Sequence, residues 1–205
     1  MTTTIAFLGP AGTFTEAAVH KFAAHLPQVE TLPVGSPSEA VAAVRAGQAE
    51  YACVAIENSV DGAVTTTFDA LVEAEPVQIY REVDIPVAFS IMTRQGAGDI
   101  ARLSTHPVAF QQIRGWVKDN LPEAEFVPAS SNAAAAEAVA RGEADAAAAP
   151  ARAAEIFGLE TIAQGVADVK GAATRFVLVG RPGKPTARTG QDLSLIHISE
   201  PTRQE

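Results

Sequence analysis

The sequence has one cysteine, no long apolar run and few positive charges. Cys53 is the single cysteine among 205 residues, so no disulfide forms within one chain and no cysteine cluster holds a metal. We expect a buried, unreactive thiol, because Cys53 stands inside an apolar run. No stretch approaches the roughly 20 apolar residues of a membrane span, and the N-terminus lacks the pattern of a signal peptide. These absences predict a soluble, cytoplasmic protein.

The charge balance is acidic. Fifteen lysines and arginines stand against 24 aspartates and glutamates, which gives a formal net charge of -9 at pH 7. Binding to duplex nucleic acid needs a dense basic surface, so this composition excludes nucleic acid as a partner. A small anionic ligand is still compatible with it, because one pocket can be locally positive on an acidic protein.

Signatures of common cofactor and metal sites are absent as well. The loop GPAGTFTE at 9–16 follows an apolar run, but it matches neither the GxxxxGK[ST] phosphate loop nor the GxGxxG dinucleotide fingerprint. No GxSxG elbow is present, and no histidine or carboxylate cluster has metal-ligand spacing. The sequence therefore predicts no metal and no other cofactor.

Short apolar runs alternate with segments of helical periodicity, a pattern typical of an α/β fold with a largely parallel sheet. The predicted strands are 4–8, 29–34, 51–56, 77–82, 85–93, 124–128, 145–149 and 174–180. The predicted helices are 14–25, 37–46, 64–74, 107–120, 132–141 and 150–157. Two helices begin with capping boxes, Thr13 to Glu16 and Ser36 to Glu39.

A weak internal repeat is visible. Residues 43–52 and 138–147 share the order of a helix, a glycine and a buried strand, and Gly47 and Gly142 lie 95 positions apart. Each glycine suits the position that ends a helix. Bias toward alanine and glycine explains this likeness equally well; the alternative is two similar lobes with a cleft between them.

Polar side chains follow the carboxyl ends of several predicted strands, where ligands bind in α/β folds, and Thr174 and Arg175 stand at the head of the strand 174–180. Most of these residues could equally serve only as helix caps, turn residues or strand residues. Arg175 is different, because an arginine inside an apolar strand needs a partner for its charge. We interpret the set as a site that binds carboxylates and donates a hydrogen bond to a leaving group. Its members are Thr13, Glu57, Asn58, Ser59, Thr105, His106, Ser131, Asn132, Thr174 and Arg175.

Five segments, in this order, resemble those of the prephenate dehydratase family. They are GPAGTFTEAA at 9–18, IENSVDGAV at 56–64, STHPVAFQQIRGW at 104–116, SSNAAAAEAVA at 130–140 and ATRFVLVG at 173–180. The resemblance covers nearly all of 4–181 and implies two α/β lobes of the type II periplasmic-binding-protein-like kind with a central cleft. Lobe 1 would comprise 1–80 plus 168–181, and lobe 2 would comprise 81–167.

The family converts prephenate to phenylpyruvate, water and carbon dioxide without a cofactor. The resemblance implies that Thr174 donates to the departing ring hydroxyl, that Arg175 clamps a carboxylate and that Phe176 shapes the pocket. Asn58, with Ser59, would orient the substrate, and Glu57 would support their turn.

The remaining site residues are expected to bind or order the substrate. Thr13 and the backbone N–H groups of its loop would build one wall of a carboxylate site, and Ser131 with Asn132 would form a second anion cradle. Thr105, His106 and Gln112 would contact the substrate or order the site.

The chain departs from the family pattern at two internal positions. Thr105 stands where serine is usual, which keeps the hydroxyl and hence the expected function. Gly171 stands where an asparagine is common, so a side-chain contact is absent there.

The last residues change character. Residues 182–192 read as a linker, and 193–205, containing LSLIHISEPTR, resemble a translated sequencing adapter. The ACT regulatory domain that the family carries has no counterpart in this sequence. We therefore expect no feedback inhibition by phenylalanine, which an assay with added phenylalanine checks, and we expect a homodimer or larger assembly for the full-length form.

Two other functions fit the same residues. Arogenate dehydratase performs this elimination on the amino analogue, and nothing in the sequence distinguishes the two substrates. A non-catalytic module that binds small anions on the same scaffold is the second alternative.

Overall fold

Strands and helices alternate along the computed structural model, which describes residues 2–183. The strands are β1 (Thr3–Leu8), β2 (Val29–Val34), β3 (Tyr51–Asn58), β4 (Gly62–Ala63), β5 (Gln78–Pro86), β6 (Ser90–Thr93), β7 (Arg102–Thr105), β8 (Glu125–Pro128), β9 (Ala146–Ala149), β10 (Glu160–Gln164) and β11 (Ala173–Gly180). The helices are α1 (Phe14–Ala23), α2 (Pro37–Arg45), α3 (Thr65–Val72), α4 (Pro107–Asn120), α5 (Asn132–Ala140) and α6 (Ala151–Phe157). Within this part of the chain, no helix combines the length and the apolar character needed to cross a membrane.

The strands form two sheets, one in each lobe. The first has the order β2-β1-β3-β11-β5, with β4 paired to β3, and the second has the order β10-β6-β9-β7-β8. Both sheets are mixed, because β11 runs antiparallel to β3 and β5, and β6 runs antiparallel to β9 and β10. The structure confirms the predicted α/β class and its two lobes, but the sheets are less parallel than the sequence predicts.

The internal repeat is structural and not merely compositional. Lobe 1 contains β1-α1-β2-α2-β3 with the parallel order 2-1-3, and lobe 2 contains β7-α4-β8-α5-β9 with the same order and direction. Gly47 and Gly142 follow α2 and α5 with positive φ of 73° and 81°, the conformation that glycine adopts most readily at a helix end. The helices α2 and α5 are therefore equivalent elements, 95 positions apart.

The chain passes from lobe 1 to lobe 2 at a later position than predicted. The stretch 85–93, predicted as one strand, is divided: β5 ends at Pro86 in the first sheet and β6 begins at Ser90 in the second. The predicted boundary after residue 80 therefore falls inside β5, and the sheets change at 87–89. Three observed strands, β4, β7 and β10, are absent from the predicted strands, because strands of two to four residues and an exposed edge strand carry little apolar pattern. Residues 184–205, which hold most of the predicted linker and all of the adapter-like tail, lie outside the described residues.

Cys53 belongs to the apolar cluster between the first sheet and α1, with Ile5, Phe7, Phe22 and Phe176. Its exposed fraction is 0%, and this burial raises the pKa of the thiol. The thiolate that reacts with electrophiles is thereby disfavoured in the folded protein.

We expect the folded chain to resist thiol reagents. Ellman's reagent should label the folded protein at least about 100-fold more slowly than the protein unfolded in guanidinium, because reaction requires opening of the lobe 1 core. One thiol per chain should be released after unfolding. Equal labelling rates in the two states would contradict the burial of Cys53.

Candidate active site

A cavity of about 240 Å³ lies between the lobes at the carboxyl ends of their strands. Its lining comes from the loop after β1 in lobe 1 and from the loops before α4 and α5 in lobe 2, the position where open α/β sheets bind ligands. The lining residues are Leu8, Gly9, Thr13, Phe14, Thr15, His106, Ser130, Ser131 and Asn132. Four of the predicted site residues thus line one cavity.

Three helices begin at this cavity, each with a side-chain cap. Thr13 accepts the N–H of Glu16 (3.2 Å), and Ser131 accepts the N–H of Ala134 (3.0 Å). His106 Nδ1 accepts the N–H of Val108 (3.3 Å), so the neutral ring carries its proton on Nε2 as a donor. Helix N-termini carry partial positive charge and favour anions. The cavity is therefore suited to carboxylates, although none of its lining residues among 2–183 is a lysine or an arginine.

Thr105 lies beneath the cavity and does not line it. Its exposed fraction is 0%, and its hydroxyl donates to the carbonyl of Ala148 (2.7 Å) and lies 3.3 Å from Asn132 Oδ1. The same Asn132 oxygen accepts the N–H of His106 (3.2 Å). Thr105 and Asn132 together fix the start of α4, so Thr105 orders the site from below.

The loop GPAGTFTE binds its own glutamate. The N–H of Gly12 donates to Glu16 Oε2 (2.8 Å), and Arg152 of α6 donates to the same oxygen (3.3 Å). Glu16 is buried, so this ion pair joins α1 of lobe 1 to lobe 2. The sequence predicts that loop N–H groups face the substrate; the Gly12 N–H is instead engaged by Glu16, and Thr13 is the loop residue with a predicted role that lines the cavity.

Asn58 and Thr174 form a pair at the carboxyl end of β3, the same edge of the first sheet as the loop after β1. Asn58 Nδ2 donates to Thr174 Oγ1 (3.3 Å), and Asn58 Oδ1 accepts the N–H groups of Val60 (2.9 Å) and Asp61 (3.3 Å). Thr174 Oγ1 is an acceptor in this bond, and no residue among 2–183 accepts its proton. Its hydroxyl is therefore held in place with its proton available.

Gln112 extends from α4 toward lobe 1. Its Nε2 donates to Asp61 Oδ2 in the turn after β3 (3.0 Å). Its Oε1 is buried and has no hydrogen-bond partner among residues 2–183, although a buried polar atom without a partner is costly. The side chain thus connects the lobes, and its buried Oε1 is an acceptor that an internal water can satisfy.

Arg175 is paired with protein carboxylates. Its Nε donates to Asp84 (3.1 Å), and its guanidinium lies 3.8 Å from Glu57. The hydrogen bond to Asp84 and the charge of that carboxylate raise the pKa of Arg175. Val83 and Ile85 face α1, so strand alternation places Asp84 and Arg175 on the opposite face of the sheet. The carboxylate clamp stays a prediction, and it requires Arg175 to leave these partners.

Three other predicted residues have contacts within the first sheet. Phe176, which was expected to shape the pocket, packs in the lobe 1 core with an exposed fraction of 2%, because alternate residues of β11 face α1. Ser59 exchanges hydrogen bonds with Ala173: its hydroxyl accepts the N–H of Ala173 (2.9 Å), and its own N–H donates to the carbonyl (2.9 Å). Glu57 pairs with Arg175. These contacts hold the turn that carries Asn58 beside Thr174.

Sequence reasoning missed Asp61, Arg152 and Asp168. Asp61 stands within the quoted segment IENSVDGAV but reads as a turn residue, and the other two have no local signal, because their partners are 136 and about 50 positions away. Among residues 2–183, no group of three or more histidine, cysteine, aspartate or glutamate side chains is arranged to hold a metal ion.

Similarity to known proteins extends over most of the chain. The sequence pattern of the family described as prephenate dehydratase matches residues 5–184. A prephenate dehydratase of Corynebacterium glutamicum is 52% identical over 205 residues, which is 97% of this chain and 65% of that protein.

Solved structures show the same likeness. The prephenate dehydratase in complex with L-Phe from Arthrobacter aurescens superposes with a TM-score of 0.84 at 43% identity, over 92% of this chain and 63% of that one. A structure described as GqqA, a novel type of quorum quenching acylase, superposes with a TM-score of 0.77 at 33% identity, over 90% of this chain and 66% of that one. The chain thus spans slightly less than two thirds of each of these relatives.

Proposed function

The chain belongs to the prephenate dehydratase family, and we propose that it converts prephenate to phenylpyruvate, water and carbon dioxide in phenylalanine biosynthesis, as a cytoplasmic carbon–oxygen lyase. The observation that carries this proposal is the Thr174 hydroxyl. It is held by Asn58 at the carboxyl end of β3, the same sheet edge from which the loop after β1 reaches the cavity, and its proton is unused among residues 2–183.

The chemistry needs an anion site and a donor. Prephenate carries two carboxylates, and the helix N-termini capped by Thr13, His106 and Ser131 favour negative charge where they meet in the cavity. The ring hydroxyl leaves while the ring carboxylate departs as carbon dioxide, and the ring becomes aromatic. Aromatisation supplies the driving force, so no cofactor is required in this proposal.

Thr174 acts by hydrogen bonding and not by full proton transfer, because an alcohol is a very weak acid. The departing oxygen therefore takes the proton that completes the water molecule from solvent, and the electrons of the bond to the ring carboxylate complete the aromatic ring. As the ring hydroxyl departs, negative charge develops on its oxygen, and a prepositioned donor stabilises that charge more in the transition state than in the ground state.

The likeness to a quorum quenching acylase adds no second candidate. Covalent amide hydrolysis needs a nucleophile within hydrogen-bond reach of a base. Among residues 2–183, the hydroxyl of Thr174 is bonded to the Asn58 amide and that of Thr105 to a backbone carbonyl. Cys53 is fully buried. None of these groups is paired with a histidine or carboxylate base.

The direct test is incubation of the purified chain with prephenate at neutral pH, with phenylpyruvate followed by its absorbance. Arogenate should be assayed in parallel, because the sequence does not distinguish a substrate with a pyruvyl side chain from one with an alanyl side chain. We expect phenylpyruvate from prephenate in excess of the uncatalysed rate. A folded chain, as shown by circular dichroism, that forms neither phenylpyruvate nor phenylalanine would be a non-catalytic anion-binding module.

A further inference from the structure

We propose that Asp168 is a positioning residue: through α4 and Gln112 it sets the geometry of the Asn58–Thr174 pair. This inference deepens the function proposed above. Asp168 lies in the segment that returns from β10 in lobe 2 to β11 in lobe 1. It is exposed, does not line the cavity described above and belongs to none of the five segments that resemble the family.

Asp168 makes three hydrogen bonds to one turn of α4. Its carboxylate accepts the N–H groups of Gly115 (2.8 Å) and Trp116 (3.0 Å), and its own N–H donates to the carbonyl of Gln112 (2.7 Å). In an α-helix the N–H of Trp116 pairs with the carbonyl of Gln112. Asp168 therefore binds both the N–H of Trp116 and the carbonyl of Gln112, which pair with each other in a regular helix. Gln112 is also the residue whose side chain reaches Asp61 in lobe 1.

Gly115 permits this approach. A Cβ at position 115 would lie 2.8 Å from Asp168 Oδ1, closer than real Cβ contacts come. Glycine in a helix interior costs about 0.8–1.0 kcal/mol relative to alanine, yet α4 carries one at the position that faces Asp168. Its backbone φ is not positive, so close approach, and not backbone conformation, explains the glycine.

A continuous chain of hydrogen bonds leads from Asp168 to Thr174. Asp168 holds the backbone of Gln112; Gln112 Nε2 donates to Asp61; the N–H of Asp61 donates to Asn58 Oδ1; and Asn58 Nδ2 donates to Thr174. Asp168 also precedes Thr174 by six positions in the same returning segment. A displaced Asp168 thus disturbs Thr174 from two directions.

The test compares Asp168→Asn with Asp119→Asn, a matched change at an exposed residue of α4. Asparagine keeps the volume but places an NH₂ group against one of the two helix N–H donors. We expect Asp168→Asn to lower kcat for prephenate about 10- to 100-fold with KM within about 3-fold, as for loss of an interaction made in the transition state. Asp119→Asn should keep wild-type values. A wild-type kcat for Asp168→Asn would overturn the inference.

A second pair of variants tests the shared contact. Gly115→Ala should reproduce the loss of kcat, whereas Gly98→Ala, where an added Cβ meets nothing within 4 Å, should not. If both changes break one contact, the double variant Gly115→Ala with Asp168→Asn should lose little more than either alone. If the loss of kcat in the double variant equalled the product of the two single losses, the two changes would act independently. That result would contradict a contact shared by Gly115 and Asp168.

A readout without turnover separates this inference from the proposed function. Amide hydrogen exchange reports local opening, and Asp168→Asn should speed exchange at Val60 and Asp61, whose N–H groups bond to Asn58 in the other lobe. If Asp168→Asn changed the amide exchange rates only within α4, Asp168 would make a local helix contact and nothing more. That result would contradict the positioning role, whichever substrate the chain uses. If the wild-type chain were inactive with prephenate but Asp168→Asn still speeded exchange at Val60 and Asp61, only the proposed substrate would be contradicted.

Discussion

Replacement of Thr174 by valine is expected to lower kcat for phenylpyruvate formation about 10²- to 10³-fold, the usual cost of removing one donor to developing negative charge. Valine keeps the shape of threonine and suits β11, so the fold should persist. KM should change little, because the carboxylates bind elsewhere in the cleft. The measurement is steady-state kinetics with prephenate at neutral pH, together with a thermal unfolding curve.

Thr67→Val is the matched control. Thr67 is fully buried in α3, and its Oγ1 has no hydrogen-bond partner among residues 2–183. Exchange of an unpartnered buried hydroxyl for a methyl group should leave stability unchanged or raised, and activity should equal that of the wild type. Thr174→Ser, which keeps the donor, should retain activity within about tenfold, since it keeps the charge stabilisation. Wild-type turnover by Thr174→Val would remove the donor role.

A negative charge at the start of α5 is expected to block substrate binding. Ser131→Asp keeps a good helix cap but places a carboxylate in the cavity that we assign to a dianion. Two charges about 4 Å apart interact by about 4 kcal/mol at an effective dielectric constant near 20, and solvent in the open cleft weakens this. We expect kcat/KM for prephenate to fall about 10- to 100-fold, mainly through KM.

The chain supplies two controls for this charge. Ser131→Asn has the same shape and capping ability without the charge, so it should stay within about threefold of the wild type. Ser36 caps α2, the element that α5 repeats 95 positions later, and it does not line the cavity. Ser36→Asp should therefore leave KM unchanged. If Ser131→Asp bound prephenate as well as Ser131→Asn does, the anion site would have to lie elsewhere.

Local signals predicted most of the fold. The bounds of α4 match the prediction, because Pro107 at the first helical position and the apolar spacing that follows both lie within that segment. The caps at Thr13 and Ser36 form as their spacing predicts. The break between β5 and β6 was missed, because the crossing residues Val87 and Phe89 are buried and apolar like a strand.

The candidate site was predictable in part. Thr13, His106, Ser131 and Asn132 line one cavity because each follows the carboxyl end of a strand, a property readable from sequence order. Which of the polar residues touch one another was not readable: the Gln112–Asp61 bond and the Asp168 contact depend on how two lobes meet. Arg175 illustrates the same limit, since its partner Asp84 comes from a neighbouring antiparallel strand.

The central claim is that the cavity between the helix N-termini and the Asn58–Thr174 pair hold one prephenate molecule between them. A crystal structure of Thr174→Val, frozen after a brief soak with prephenate at neutral pH, tests this claim most directly, because the variant should bind the substrate and consume it about 10²- to 10³-fold more slowly than the wild type. We predict a carboxylate at the cavity lined by His106 and Ser131 and the ring hydroxyl facing position 174. Prephenate bound outside the interlobe cleft, or bound with its hydroxyl directed away from position 174, would contradict the account.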